Sequence, residues 1–324
     1  MKKILLSATA LSLALTASAF AADLPTKKAP IVPPPPPPTW TGFYVGLNAG
    51  GSFSDSTSVN VVSTPVFLNS APALVPFAGN AAAAAALAGT AFLSNNTGGF
   101  LGGGQIGYNY QFGSGLGGFG SAWVAGIEAD IQGVSGSGGS QWVASGGPLP
   151  TPPFLPGSAI IGLTQATKSL DYIGTVRGRI GFLFTPTFLL YGTGGLAYGG
   201  VSSRTTQLSA AIDPTAVLFP TAFTSGWGTA GSYSDTRVGW TAGAGLEWMF
   251  APNWSAKVEY LYYDLGSITY NNGFTGSFTN VVTPGQPLFL NTSWTRARFN
   301  GNIIRAGVNY HFNWAAPAPV LAKY

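Results

Sequence analysis

Eight segments of this chain alternate between apolar side chains and polar or small side chains with a period of two residues. This is the pattern of a β-strand whose two faces meet different surroundings. In the sixth segment, for example, Val238 and Trp240 alternate with Arg237 and Thr241. The segment lengths bracket the roughly 9–11 residues that a tilted strand needs to cross a membrane. The eight segments are 40–53, 105–112, 123–132, 171–184, 188–201, 237–248, 254–263 and 303–312.

Charged side chains within these segments all fall on the face opposite the apolar one. An arginine or lysine that faced lipid at the bilayer midplane would cost roughly 2–4 kcal/mol, so this sorting is what a transmembrane barrel requires. A soluble two-sheet sandwich would also alternate, but its polar face would meet water and carry many more charges. The residues predicted to form a charge network in the lumen are Glu128, Asp130, Asp171, Arg177, Arg179, Arg237, Glu247, Lys257, Glu259 and Arg305.

The composition also favours a membrane-embedded chain. Only 7% of the residues are charged and 46 of the 324 are glycine, whereas a soluble domain carries roughly 25% charged residues. The segment closest to a spanning helix, 80–93, is too short for that role. In lipid, the backbone polar groups can be satisfied only in a helix or in a closed β-barrel. The predicted fold is therefore an all-β, eight-stranded antiparallel up-and-down transmembrane β-barrel.

The N-terminus has the pattern of a secretory signal peptide. Lys2 and Lys3 precede an apolar run and a small-residue site ending at Ala21, which predicts cleavage after that residue. The six prolines of 33–38 then favour an extended, solvated leader over a segment that binds a periplasmic partner. The predicted organisation is a signal peptide at 1–21, a Pro-rich periplasmic leader at 22–39, the barrel at 40–314 and a C-terminal periplasmic extension at 315–324.

Charge and cysteine content exclude several classes of function. Removal of Lys2 and Lys3 reduces the 14 basic residues to 12 against 10 acidic ones. The resulting net charge of about +2 gives no indication of nucleic-acid binding. The chain contains no cysteine, which excludes a lipid-modified N-terminal cysteine, a disulfide framework and a thiolate site.

The connections between the segments alternate in length, which predicts the orientation. Those at 113–121, 185–187 and 251–253 are short, whereas the others run for tens of residues. Short turns lie in the periplasm and long loops lie outside the cell, and within the first loop Asn80 to Leu87 is predicted to form a short helix. Aromatic residues beside the short turns or the chain's last strand should form the periplasmic girdle. They are Phe112, Trp123, Phe184, Phe188, Trp248, Trp254 and Phe312.

Several short strings support a resemblance to one family. They are ADLP at 22–25, WTGFYVG at 40–46, LYGTGG at 190–195, EYLYYDLG at 259–266 and the terminal strand. As a set they resemble the small alphaproteobacterial outer-membrane immunogenic proteins, also called porin-family or opacity-type β-barrel proteins. The resemblance implies an eight-stranded barrel that is abundant at the cell surface and is structural and antigenic rather than catalytic. Family chains commonly end at the aromatic residue that the assembly machinery reads, whereas here 313–324 follow Phe312.

The sequence offers no catalytic, cofactor or metal site. The lone histidine, His311, is expected to face the lumen as a packed residue, because no serine and acid suited to it are visible. Gly192-x-Gly194-x-x-Ala197 mimics a dinucleotide fingerprint, but no βαβ pattern surrounds it. No cluster of histidine and carboxylate residues suggests a metal.

Two classes of function stay open at this point, a structural surface protein and a small porin-like diffusion channel. The lumen of eight strands is just wide enough for side chains to fill, which favours the first. The expected partners are outer-membrane lipid and lipopolysaccharide, the assembly machinery through the last strand, and host or environmental ligands at the loops.

One hairpin allows a prediction at the level of residue pairs. The turn at 251–253 places Glu247 opposite Lys257, both pointing inward, so the two should form an ion pair. Arg305 or Arg179 should neutralise Glu259.

Overall fold

A computed structural model describes residues 39–112, 123–136, 138–151, 154–212, 227–277 and 287–312. The predicted signal peptide, most of the leader, the turn at 113–121 and the C-terminal extension lie outside these ranges. The described residues form one antiparallel sheet and a helix. The elements are β1 Gly42–Ser54, β2 Ser58–Leu68, α1 Val75–Ala88, β3 Ala91–Ser94, β4 Gly99–Phe112, β5 Trp123–Ser135, β6 Gly139–Pro148, β7 Ala159–Thr185, β8 Phe188–Ile212, β9 Trp227–Ala251, β10 Trp254–Ser277 and β11 Phe289–Phe312.

Eight of these strands form a closed ring of hydrogen-bonded ladders. The order is β1, β4, β5, β7, β8, β9, β10 and β11, and β11 pairs with β1 to close the ring. Seven of the eight alternating segments lie within one of these strands, and the first, 40–53, begins two residues before β1. The two described short turns are as predicted, since β7 ends at Thr185 before Phe188 and β9 ends at Ala251 before Trp254.

The strands extend far beyond the predicted segments. β7 to β11 each contain 24–27 residues, so the regions expected to be long loops are largely strand. In β8, for example, the inward-facing side chains near the upper end are polar. They are Ser203, Thr205 and Gln207, and all three are buried. Side chains still alternate between the two faces of the strand there, but both faces carry polar residues. A search for alternating hydrophobicity therefore cannot detect this part of the strand.

The ring changes into two facing sheets at its upper end, away from the short turns. β1 stops opposite Gly301 of β11, and β2 takes its place beside β11 from Ala297 upward. In the same way β6 replaces β5 beside β7. The ladder between β9 and β10 ends at Trp240 and Asp264. We call the region below these positions the lower section, and the sheets β3–β2–β11–β10 and β6–β7–β8–β9 above them the upper section.

Helix α1 covers the upper section. The prediction of a helix at 80–87 is confirmed, and the observed helix is longer. Its alanines favour helix formation and permit close packing. The buried ones are Ala78, Ala81, Ala82, Ala84, Ala85 and Ala88, which share a cluster with Ile160, Ala211 and Phe289 of β7, β8 and β11. Among the described residues, no helix has the length and apolarity needed to cross a membrane.

Candidate functional site: the filled lumen

The lower lumen contains a cluster of buried ionic side chains. The inward face of β5, β7, β9, β10 and β11 carries eight of the ten predicted charges, and each of the eight is at most 4% exposed. Four are acidic and four are basic, so the cluster has no formal net charge. Its members are Glu128, Asp130, Arg177, Arg179, Glu247, Lys257, Glu259 and Arg305.

Arg177 is the centre of the cluster. Its guanidinium binds Glu128 at 2.5 Å, Asp130 at 2.9 Å and Glu259 at 2.9 Å. Arg305 bridges two of the same carboxylates, Glu259 at 2.5 Å and Asp130 at 2.8 Å. Guanidinium groups suit this role because their forked donors can satisfy several carboxylate oxygens at once. Of the two partners predicted for Glu259, Arg305 binds it, whereas Arg179 has no ion pair with it among the described residues. Arg177 at 2.9 Å and Lys257 at 3.9 Å also lie in ion-pair distance of Glu259.

The register predicted for the β9–β10 hairpin is confirmed, but the predicted ion pair is wrong. Glu247 does lie opposite Lys257 in the ladder. Glu247 instead binds Arg179 at 2.5 Å, and Lys257 Nζ reaches across the lumen to Glu128 at 2.9 Å. In a narrow ring, side chains from strands that are distant along the sheet come as close as ladder neighbours, so register alone does not choose partners.

Two tyrosines complete the cluster by lying across glycines. Tyr44 donates to Glu128 at 2.7 Å and accepts from Arg179 at 3.0 Å. A Cβ added at Gly107 would lie 2.4 Å from the Tyr44 ring, so the ring position requires glycine there. Tyr191 has the same relation to Gly245 and donates to Glu259 at 3.2 Å. Glycines in these strands make room for inward aromatic rings, which was not evident in the sequence.

Asp171 and Arg237 do not belong to the cluster, which corrects the prediction. Asp171 occupies a register shift between Leu170 and Tyr172, where the ladder of β7 and β8 skips a residue. It is exposed and accepts a hydrogen bond from Ser169. Arg237 lies above the end of the β9–β10 ladder and is half-buried. Asp171 leaves the predicted face because the bulge interrupts the alternation. Arg237 keeps the predicted face in its continuous ladder with β8, but it has no ion pair with the cluster among the described residues.

His311 faces the lumen as predicted, but a serine and a carboxylate lie beside it, which the sequence did not reveal. Ser255 Oγ is 2.8 Å from His311 Nε2 and donates to Glu247 at 2.5 Å. Glu247 is 3.5 Å from the same Nε2 atom. A catalytic triad needs the acid on Nδ1 and the serine on Nε2, whereas here both groups contact one nitrogen. Each of the three residues is at most 2% exposed.

Trp40 closes the lumen at its lower end. It is fully buried, and its ring meets the His311 ring edge-on at 5.7 Å between centroids. Its indole N–H donates to the backbone oxygen of Pro186 in the β7–β8 turn at 3.1 Å. The residue directly after the leader therefore packs under the ionic cluster.

Above the ionic cluster the lumen is filled by apolar side chains. Residues such as Leu101, Leu170 and Ile303 form one buried cluster that joins the two facing sheets. Higher still, hydroxyl groups bond across the interior. Tyr270 on β10 and Thr295 on β11 contact Thr205 on β8 at 2.8 and 2.9 Å. The two walls of the upper section are thus in direct contact.

The carbonyl groups near the end of α1 are held by side chains from the facing sheets. Ser145 donates to the Ala88 oxygen at 2.6 Å, and Gln207 donates to the Gly89 oxygen. Asn291 donates to the Ala82 oxygen at 3.0 Å. These contacts fix the helix to β6, β8 and β11, so it is an integral part of the upper section.

The aromatic residues predicted for the girdle lie on the outer face, next to the short turns. The Phe188 ring stacks on Phe184 and Trp248, with centroids 5.5 and 5.8 Å apart. Trp123 and Trp254 are 40% and 45% exposed. Phe112 also points outward, and Phe312 packs against Tyr310.

A second set of outer aromatic residues, which the sequence pattern alone did not reveal, lies higher on the ring. Trp240 and Tyr262 are in ring contact at 5.3 Å. The outer face between the two sets carries aliphatic side chains, and above the second set serine, threonine and arginine side chains are mixed with exposed apolar ones such as Leu208 and Trp294. Two aromatic girdles that flank an apolar band mark the two membrane interfaces. The upper girdle consists of Phe53, Phe100, Tyr172, Tyr198, Trp240, Tyr260 and Tyr262.

The ring, its apolar outer band and its filled interior agree with a match to a known protein family. The family model for the outer membrane protein beta-barrel domain matches residues 7–312. This chain belongs to the outer membrane protein beta-barrel family. It is thus an all-β, antiparallel outer-membrane protein, as the resemblance implied.

The curated relatives of this chain include proteins named as immunogenic outer-membrane proteins. The chain is 31% identical over 323 residues to the "31 kDa outer-membrane immunogenic protein" of Brucella melitensis and to that of Brucella suis, and the alignment covers 96% of this chain and 100% of each relative. It is also 31% identical over 181 residues to the "22 kDa outer membrane protein" of Rhizobium leguminosarum, with 53% of this chain and 60% of the relative covered.

Solved structures of outer-membrane proteins align over most of the chain but with low scores. OprG of Pseudomonas aeruginosa has a TM-score of 0.33 at 10% identity and covers 85% of this chain and 99% of its own. Ail of Yersinia pestis, in complex with the heparin analogue sucrose octasulfate, has a TM-score of 0.26 at 12% identity, with 82% and 99% covered. Scores this low carry no argument about function.

Proposed function

We propose that this protein is a structural, surface-exposed and antigenic component of the outer membrane, built as an eight-stranded up-and-down barrel with a plugged lumen. The observation that carries the proposal is the filling of the interior at every level. Trp40 and the ionic cluster fill the lower section, apolar side chains fill the middle, and the hydroxyl contacts and α1 fill the top. A lumen packed in this way serves as a core and leaves the outer surfaces for interaction.

The alternative is a small diffusion channel. The narrow lumen of an eight-stranded barrel opposes it. A selective pore also uses a ring of charges of one sign, whereas the four acids and four bases here neutralise one another directly. Two relatives are named as immunogenic outer-membrane proteins, and "immunogenic" fits exposure at the cell surface.

The proposal also excludes catalysis. The Ser255, His311 and Glu247 arrangement lies directly above Trp40 with no exposed nucleophile, and Ser255 directs its proton to Glu247 rather than to the imidazole. We expect no labelling of Ser255 by a fluorophosphonate probe on the folded protein. Labelling that is lost in Ser255→Ala would contradict the assignment.

Conductance in a planar bilayer tests the choice between plug and channel. The full-length refolded protein should give no stable current steps, with a known porin in the same bilayers as the positive control. Trp40→Ala and Arg177→Met, which each open one level of the lumen, should also stay silent because the other levels remain filled. Stable steps from the wild type that change in size in either variant would favour the channel.

In the proposed orientation the short turns lie in the periplasm and the upper section lies outside the cell. An epitope tag inserted in the β6–β7 connection should therefore bind antibody on intact cells. The same tag inserted after Pro252 should bind antibody only after the cells are permeabilised. The reverse pattern would overturn the orientation.

The partners follow from this placement. Lipid contacts the apolar band, lipopolysaccharide surrounds the base of the upper section, and the assembly machinery meets β11, which ends on Phe312. Host or environmental ligands would meet the upper section, where Trp142 and Phe92 are 52% and 71% exposed.

A further inference from the structure

An apolar groove crosses the outer wall of the lower section. It has a volume of about 690 Å³ and runs over β8, β9, β10, β11 and β1. Its lower rim is a single row of directly opposed ladder partners, so the groove follows the hydrogen-bonding direction of the sheet rather than one strand. This row consists of Phe188, Trp248, Ala256, Val308 and Leu47.

Small side chains form the floor of the groove. The upper rim is the next outward row, which consists of Leu246, Val258, Ala306 and Ala49. Ala49, Ala256 and Ala306 have larger outward neighbours such as Leu47 and Val258, which are 73% and 59% exposed. The wall is therefore hollow where alanine occupies an outward position between larger residues.

The groove begins at the lower aromatic girdle and ends near the middle of the apolar band. Phe188 is the first residue of β8, and its ring stacks on Trp248 in the girdle. At the other end, Leu47 lies about midway between the start of β1 at Gly42 and Phe53 of the upper girdle. The groove thus covers the depth of the lower half of the bilayer and does not reach the upper half.

The length of the groove matches one acyl chain. Four spacings between neighbouring strands give about 19 Å. A row perpendicular to strands tilted by about 40° rises roughly 12 Å over that length, which is about half of an apolar band ~25 Å tall. One leaflet of the hydrocarbon core is about 15 Å thick, so a chain that lies obliquely in the groove would extend from the headgroup level to the midplane.

The chemistry of the groove favours a chain over a headgroup. Its outward side chains are aliphatic or aromatic. Lys257 and Asn48 contribute only backbone to it, because their side chains point inward to Glu128 and Gln105. The groove is continuous with the apolar band that contacts lipid, so hydrocarbon is the medium at its open side.

A second copy of the chain fits the groove less well. All copies have the same orientation in the membrane, so a two-fold contact would bring the groove against itself. Two facing hollows leave both floors without contacts, whereas a flexible chain can follow the oblique path over five strands. Lipid tails are as apolar as the side chains, so the gain comes from dispersion contacts that an unfilled hollow forfeits.

We propose that this groove is a binding site for one acyl chain of a phospholipid in the periplasmic leaflet. The alanine floor accepts the chain, and Phe188 and Trp248 hold its upper carbons at the level of the girdle. The site selects lipids by chain length and not by headgroup. The proposal rests on the membrane orientation given above.

The test measures lipid binding to the full-length protein by native mass spectrometry from an octyl-chain detergent. The probes are dipalmitoyl and dioctanoyl phosphatidylethanolamine. The wild type should bind a first dipalmitoyl lipid about fivefold more tightly than further copies of it, and about fivefold more tightly than the dioctanoyl form. Dipalmitoyl phosphatidylglycerol should bind as well as the ethanolamine lipid.

Ala306→Phe fills the floor and should remove the preference for the first lipid. Ala256→Leu is a smaller change in the same groove and should weaken the preference about threefold. The matched control is Ala129→Phe, since Ala129 is an outward alanine of β5, on the opposite side of the ring. It should leave binding unchanged. Heat-modified gel mobility confirms that each variant is folded.

Four results would overturn the proposal. They are equal binding by the wild type and Ala306→Phe, an equal loss in Ala129→Phe, binding of lipid A in preference to the phospholipid, and a wild-type dimer that Ala306→Phe separates. The last result would assign the groove to a second copy. The epitope-tag experiment reports on orientation independently, so failure of the site and failure of the orientation are distinguishable.

Discussion

The lower and upper sections of this protein solve the same problem with different chemistry. Both are β-structures whose interior must be filled. The lower section uses eight buried ionic side chains, whereas the upper section uses an apolar core, hydroxyl contacts and an alanine helix. The lower section faces lipid on its outside, so its apolar residues point outward and its polar ones inward. The upper section has water outside, and its core resembles that of a soluble protein.

This difference predicts which changes each section tolerates. A buried ion cluster stabilises the fold only when all its members are present, because one missing partner leaves unpaired charges in a medium of low polarity. An apolar core loses free energy in proportion to the volume removed.

The largest effect should come from Arg177→Met in the lower section. The change leaves Glu128, Asp130 and Glu259 without their shared cation. We expect the free energy of unfolding in urea to fall by about 3–5 kcal/mol. Arg204→Met, which removes an exposed arginine, should change it by less than about 0.5 kcal/mol. Similar values for the two variants would show that the cluster does not stabilise the fold.

A truncation in the upper section should have a smaller and more local effect. Leu265 is 1% exposed within the apolar cluster, and Leu265→Ala should cost about 2–4 kcal/mol. Hydrogen exchange should accelerate in the upper section while the lower section keeps its protection. Leu208→Ala, at a residue that is 51% exposed, is the control. Equal acceleration in both sections would show that they unfold as one unit.

The pH dependence of the upper section should depend on Lys168. This side chain is fully buried, and its ammonium donates to the Ser56 oxygen at 2.7 Å and lies 4.8 Å from the centre of the Phe299 ring. Burial lowers the pKa of Lys168 to about 8. Between that value and the ordinary lysine pKa, the unfolded chain binds more protons than the folded one, so stability rises with pH.

The wild type should therefore gain about 2 kcal/mol in unfolding free energy between pH 8 and pH 10 relative to Lys168→Met. Denaturant unfolding at several pH values, followed by a probe in the upper section, measures this difference. Parallel curves for the two proteins would show that Lys168 does not titrate in this range.

The smallest predicted effect distinguishes partners within the lower section. A double-mutant cycle on Arg179 and Glu247, which bind at 2.5 Å, should give a coupling of about 2 kcal/mol. The cycle on Glu247 and Lys257, which are opposed in the ladder but have different partners, should give less than half of that. A larger coupling in the second cycle would show that Glu247 pairs with Lys257 rather than with Arg179.

Much of the lower section could be predicted because lipid imposes a strict rule on sequence. A strand in the bilayer must put apolar side chains outside, so alternation in 237–248 or 303–312 reports both the strand and the direction of each side chain. The same rule located seven girdle aromatics and the eight charges of the ionic cluster. The turn after Ala251 even set the correct register of Glu247 and Lys257.

The upper section follows a weaker rule. Where both faces of a strand carry small or polar residues, as in 202–212 of β8, the sequence has no period that marks the strand. Asp171 was misplaced because the β7–β8 ladder skips it, whereas Arg237 keeps its predicted face and lies above the ionic cluster.

The sequence by itself determined the apolar outer band, the eight segments that carry it and the inward direction of the eight charges that form the ionic cluster. Only the tertiary structure decided which charges meet and how α1 and the two facing sheets fill the upper end. The physical reason is one of range. The medium outside the barrel wall sets the alternation at each residue separately. Contacts such as Lys257 with Glu128 or Thr205 with Thr295 instead join strands that are far apart in the chain. These contacts exist only once the ring has closed.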